Sequence, residues 1–242
     1  MLEAIFDRFL PDRSTLLHLG FPLLVFSILA ASLTGWMKHT KKIRTPYTRK
    51  TFHFLVFSAA GWLQYHFGLQ AVSLMGSIVL VLVLSAVALG SRLWFFQSLA
   101  RESDAPHEKK FILFPLFATA LGGVLSNLFF PHTAFIGYFV GGLGDAVGEP
   151  VGTRWGRHRY TVPTLFGVRA TRSLEGSAAV LFVSFLVSAI CLLQVSALSA
   201  WTCLAVGLLC GVAAAGVEAV SSHGLDNLSI QLTAAAVLSL FF

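Results

Sequence analysis

The chain has 242 residues, of which 56% are hydrophobic and 12% charged, against about 25% charged in an ordinary soluble domain. With a mean hydropathy of +0.77, this excludes a disordered chain, a collagen-like repeat and a disulfide-stapled secreted domain, and it leaves too few polar residues to cover a soluble enzyme of this size. A net charge of +6 would point to nucleic acid in a soluble protein, but here the basic residues sit between apolar stretches, so membrane topology accounts for them. The expected partner is a lipid bilayer, with no nucleic acid.

In chain order, residues 1–13 read as a possible interfacial helix that begins MLEAIFDRFL. Apolar windows then follow at 15–37, 51–68, 69–90, 111–130, 133–152, 176–198 and 200–220, with a shorter run at 228–242. A spanning helix needs about 20 mainly apolar residues. The expected fold is therefore all-α: a polytopic transmembrane helical bundle of seven to eight spans, with residues 1–242 as a single integral membrane domain. The three cysteines, Cys191, Cys203 and Cys210, lie in apolar stretches without metal-ligand spacing and read as small buried hydrophobes.

The loops alternate in charge. Three of them, after the first, third and fifth windows, hold 15 of the 17 Lys and Arg residues. The positive-inside rule places these loops in the cytoplasm.

Acids within a membrane segment are costly and mark a site. In GYFVGGLGDAVGEPVGTRWGRHRY, Asp145 and Glu149 are four residues apart, which puts both carboxylates on one helix face. Paired carboxylates with oxygen-only donors suit Mg²⁺, which takes one or two of them plus substrate phosphates. Glycines surround the pair, including Gly144, and permit either close approach to a ligand or tight helix packing. Arg154, Arg157, His158, Arg159, Arg169 and Arg172 follow, and guanidinium groups bind phosphate bidentately. Ser173, at the start of Ser-Leu-Glu-Gly-Ser, reads as a helix cap at an anion-favouring N-terminus. Glu218 closes the seventh window and His223 follows it, and the Asp226–Asn227 pair after them reads as either a turn or a further set of oxygen donors. Arg49, Lys50 and His53 open the second window as RKTFH.

Three of these segments together resemble a family. GDAVGEPVGTRWGRH with RSLEGS is similar to the central signature of the CTP-dependent lipid-alcohol kinases: dolichol kinases, phytol and farnesol kinases, and yeast-type CTP-dependent diacylglycerol kinases. RKTFH resembles their N-terminal RKxxH element, and EAVSSHGLDNLSIQL their C-terminal E…DNL element, in the same order. Arg172 stands where the family usually has Lys, and Gln231 where it has Pro.

The resemblance implies Mg²⁺-dependent phosphoryl transfer from a nucleoside triphosphate, CTP, to the hydroxyl of a membrane lipid alcohol of polyprenol, phytol, farnesol or diacylglycerol type. It implies catalytic roles for Asp145, Glu149 and Glu175. Asp145, Glu149 and Asp226 would hold the metal, with Glu149 alternatively the base. Lys50, His53, Gly144, Arg154, Arg157, Arg172, Ser173 and Asn227 would bind nucleotide or phosphate, and Glu175 would orient Arg172 or assist the base. The site would open on the cytoplasmic side. Two alternatives remain at this stage. The related phosphatidate cytidylyltransferases would form a CDP-lipid, and a transporter or non-catalytic membrane protein would turn over no nucleotide.

Overall fold

The computed structural model describes residues 7–163, 170–222 and 224–242. Arg169 and His223, and the start of the expected interfacial helix, lie outside these residues. The chain divides into two compact units, Met1–Ile112 and Leu113–Phe242.

In the first unit, α1 (Arg13–His39) opens on Asp12, whose carboxylate accepts the Thr15 N–H at 2.7 Å. This is an N-cap that satisfies one orphan donor of the first turn. α2 (Thr45–Phe67) carries Pro at its first turn and ends at Gly68, whose φ of +79° lets the chain reverse directly into α3 (Leu69–Leu89). The short α4 (Trp94–Leu99) crosses α1 at Gly35, where a Cβ would come within 3.1–3.2 Å of the Trp94 and Phe95 backbone. Thr48 of α2 donates to the Ser98 carbonyl at 2.7 Å and fastens α2 to the same helix.

α5 (Glu108–Phe129) leads into the second unit. α6 (Ala134–Phe139), a π-helical turn (Val140–Gly144) and α7 (Asp145–Trp155) form one interrupted helical stretch. Pro150 sits inside α7, and the helix runs on past it to Trp155. A two-stranded antiparallel hairpin, β1 (Arg159–Val162) and β2 (Ala170–Ser173), pairs Tyr160 with Arg172. α8 (Leu174–Val195), α9 (Ala200–Val220) and α10 (Asp226–Ser239) complete the unit. α8 and α9 pack closely because Gly207 and Gly211 lie against Ala189 and Leu181, where a Cβ would meet backbone at 2.9 and 2.7 Å. Ile136, Val140, Leu192, Cys210, Ile230 and Leu238 form the buried core beneath them.

The expectation of an all-α membrane protein holds, with the small hairpin added. Among the described residues five helices are long and apolar enough to cross a membrane: Arg13–His39, Leu69–Arg92, Glu108–Phe129, Leu174–Val195 and Ala200–Val220. The other three apolar windows differ for physical reasons. α2 carries Arg49, Lys50 and His53 in its first half. The α6–α7 stretch is broken by its π-turn and carries two acids. α10 has 14 residues, about 21 Å of helix against a hydrocarbon core about 30 Å thick.

Candidate active site

The second unit gathers its buried charges where α7, β2, α9 and α10 meet. Gly144, Gly148 and Gly152 recur every four residues, so they share one face of the helical stretch. That face lies on α8. A Cβ on Gly148 would meet Val180 Cγ2 at 2.8 Å, and one on Gly176 would meet the Gly148 carbonyl at the same distance. Gly144 abuts Ser184. Packing therefore accounts for the glycines, Gly144 included. Asp145 follows Gly144 by one residue, about 100° around the helix, and is 3% exposed; Glu149, one turn on, is half-buried.

Arg172 is the hub. Its guanidinium pairs with the Glu218 carboxylate and donates to the Glu218 carbonyl. The other terminal nitrogen donates to Asp226 Oδ2 at 3.0 Å and to the Ser221 carbonyl at 3.2 Å. Glu218 and Asp226 are 7% and 6% exposed. The two carbonyls end α9, where a cation offsets the negative end of the helix dipole, and Asp226 sits in the first turn of α10, where an anion is favoured. Burial opposes the charge on Arg172. Asp226, then Glu218 and Asp145, oppose that effect and hold its proton more tightly than in an ordinary arginine.

Hydrogen bonds extend the cluster on both sides. Asp226 Oδ1 accepts the Asn227 N–H at 3.0 Å, and the Asn227 amide donates to Thr119 Oγ1 of α5 at 3.0 Å. Ser177 donates to Glu218 Oε2 at 2.9 Å and lies 2.6 Å from the Tyr160 hydroxyl. Ser173 caps α8 by accepting the Gly176 N–H at 3.1 Å.

The structure thus brings Asp145, Arg172, Asp226 and Asn227 into one polar network. Glu175 lies apart from Arg172 and instead accepts from His158, with 2.7 Å between Nδ1 and Oε1. Arg154 and Arg157 stand exposed at the far end of α7, with Arg154 over the Trp155 ring at 5.0 Å. Arg154 is nine residues, about 13 Å along the axis, beyond Asp145. Lys50, buried, and His53, stacked on Phe57 at 4.2 Å, belong to α2 of the first unit. Sequence reasoning left Glu218, Ser177, Tyr160 and Thr119 out of the site. Glu218 carried the same signal as Asp145, an acid in an apolar run. Tyr160 and Thr119 carried none.

The acidic side chains gathered here offer carboxylate oxygens, a donor type suited to a hard cation. Among the described residues no three His, Cys, Asp or Glu side chains come together in a group that could hold a metal ion. Mg²⁺ requires no such group of three, because it completes its shell with phosphate and water.

This is a helical membrane protein with a buried carboxylate–arginine centre, and comparison with known proteins places it further. Over 162 residues it is 34% identical to a phytol kinase of Synechocystis sp. (strain ATCC 27184 / PCC 6803 / Kazusa), covering 67% of this chain and 66% of that protein. The chain belongs to the phytol/polyprenol kinase-type family. The match thus spans just under two thirds of the relative's length. No family model and no solved structure matches the chain.

Proposed function

We propose that the protein transfers a phosphoryl group from a nucleoside triphosphate, CTP, to the hydroxyl of a membrane lipid alcohol of the polyprenol, phytol or farnesol type. The observation that carries this reading is Asp145: a carboxylate 3% exposed in a glycine-rich helix, acting on the same guanidinium as Glu218 and Asp226. Similarity to a phytol kinase supports the acceptor class.

Phosphoryl transfer needs positioning and charge neutralisation more than covalent help. Asp145 and Glu149 would hold Mg²⁺, with phosphate and water completing its shell, while Asp226, bound to Arg172 and to the Asn227 N–H, would line the nucleotide side of the pocket. A bound Mg²⁺ would neutralise the charge that develops on the transferring phosphoryl oxygens. Arg154 and Arg157 would draw the triphosphate to the rim. Arg172 fixes Asp226 and the adjoining ends of α9 and α10, so its charge serves the phosphates through the carboxylates it orients. α2, the α6–α7 stretch and α10 would complete a bundle of seven to eight spans, with the site opening toward the cytoplasm.

The test is a panel of lipid alcohols with labelled CTP, ATP, GTP and UTP, read by product mass. The expected products are a lipid phosphate and CDP. A CDP-lipid with pyrophosphate, or no metal-dependent turnover with any alcohol, would contradict the reading.

A further inference from the structure

The geometry points to Tyr160 as the residue that receives the hydroxyl of the acceptor alcohol, and to Ser177 as the residue that orients it. This deepens the proposed kinase reading and rests on it. Glu218, paired with Arg172, is a carboxylate and only accepts hydrogen bonds. Ser177 has one hydroxyl proton, and it goes to Glu218 Oε2 at 2.9 Å. The contact of 2.6 Å between Ser177 Oγ and Tyr160 Oη must then use the tyrosine proton. The phenolic oxygen is thereby fixed as an acceptor toward any further partner. An incoming alcohol, which must donate, meets an oxygen already turned to receive it.

The placement fits such a role. Tyr160 and Arg172 are directly paired across the hairpin, so both side chains rise from one face of it. Arg172 reaches Glu218 and Asp226 from that face, and Tyr160 reaches Ser177, so the phenol joins the carboxylate centre through Ser177 and Glu218. Tyr160 is half-buried whereas Glu218 is 7% exposed, so the chain of hydroxyls runs from a partly exposed residue inward to a buried charge. No nucleotide chemistry requires this branch. Its specificity is for a hydroxyl donor, the group common to every lipid alcohol.

The test measures KM for the alcohol and for the nucleotide separately. Tyr160→Phe should raise KM for the alcohol about three- to tenfold, the worth of one neutral hydrogen bond, with KM for the nucleotide unchanged. Ser177→Ala should act in the same direction, and Ser177→Thr, which keeps the hydroxyl, should lose less. Wild-type alcohol KM in Tyr160→Phe, or equal losses for alcohol and nucleotide, would overturn the assignment while leaving the kinase reading standing. A wild-type protein inert toward every alcohol would overturn both, and that result comes before any variant is made.

Discussion

Arg172 shows how one residue sets a local balance. Its guanidinium answers two buried carboxylates and two helix-terminal carbonyls at once. Removing it would leave Glu218 and Asp226 without that partner, a loss on the order of 3–5 kcal/mol for a buried pair. Arg172→Ala should therefore lower the unfolding temperature of the purified protein and also weaken nucleotide use strongly. Arg172→Lys keeps the charge but not the planar fork, so both losses should be smaller. An Arg172→Ala protein with wild-type melting and kinetics would contradict this account. At this scale the sequence was partly legible. An acid in an apolar segment signals a site wherever it occurs, which is why Asp145 stands out in the sequence. The same rule applied evenly would have included Glu218. It could not assign Glu175, because pairing with His158 rather than Arg172 depends on how the hairpin folds back, and no local pattern specifies that.

At the scale of elements, the glycine rows explain why α7 lies where it does. Gly148 and Gly152 face Gly176 and Ser173, and the close approach holds Asp145 at a fixed height against α8. Gly176→Ala would push a methyl into the Gly148 carbonyl, which belongs to backbone and cannot rotate away. Gly216→Ala, on α9, meets nothing within 4 Å and would gain helix propensity. Thermal unfolding in detergent should show Gly176→Ala clearly destabilised and Gly216→Ala at or above wild type. The opposite order would mean that the glycine contact is not what seats the helix. The four-residue spacing was visible in the sequence, but whether it served a ligand or a helix was not, because both uses need the same missing Cβ. The hairpin of β1 and β2 was hidden for another reason. Its strands have four residues each and lie in a run of arginines, so charge patterning read it as a loop.

At the scale of the molecule, composition alone specified a helical membrane protein, because so few charged residues leave no other solvent for its surface. The number of crossings was less legible. Apolar windows measure hydrophobicity, whereas a crossing also needs unbroken length, and α10 and the α6–α7 stretch fall short on that count. The basic loops should face the cytoplasm. Single cysteines introduced near residues 42, 105 and 160 should each be labelled from that side, and labelling of any one from outside alone would break the assignment.

Asp145 is central to the proposed site, a buried acid that shares the Arg172 guanidinium with Glu218 and Asp226. Asp145→Asn keeps the size and hydrogen-bonding capacity of the side chain but removes the charge that would hold the metal. Once the lipid-alcohol panel has fixed the substrate, the decisive measurement is the phosphoryl-transfer rate of this variant against wild type, across a Mg²⁺ titration. The expected result is a protein that inserts and melts like wild type yet loses activity by more than about a hundredfold, with partial recovery at high Mg²⁺. A folded Asp145→Asn protein with full metal-dependent transfer would contradict the central claim and leave the glycine-rich segment as helix packing alone.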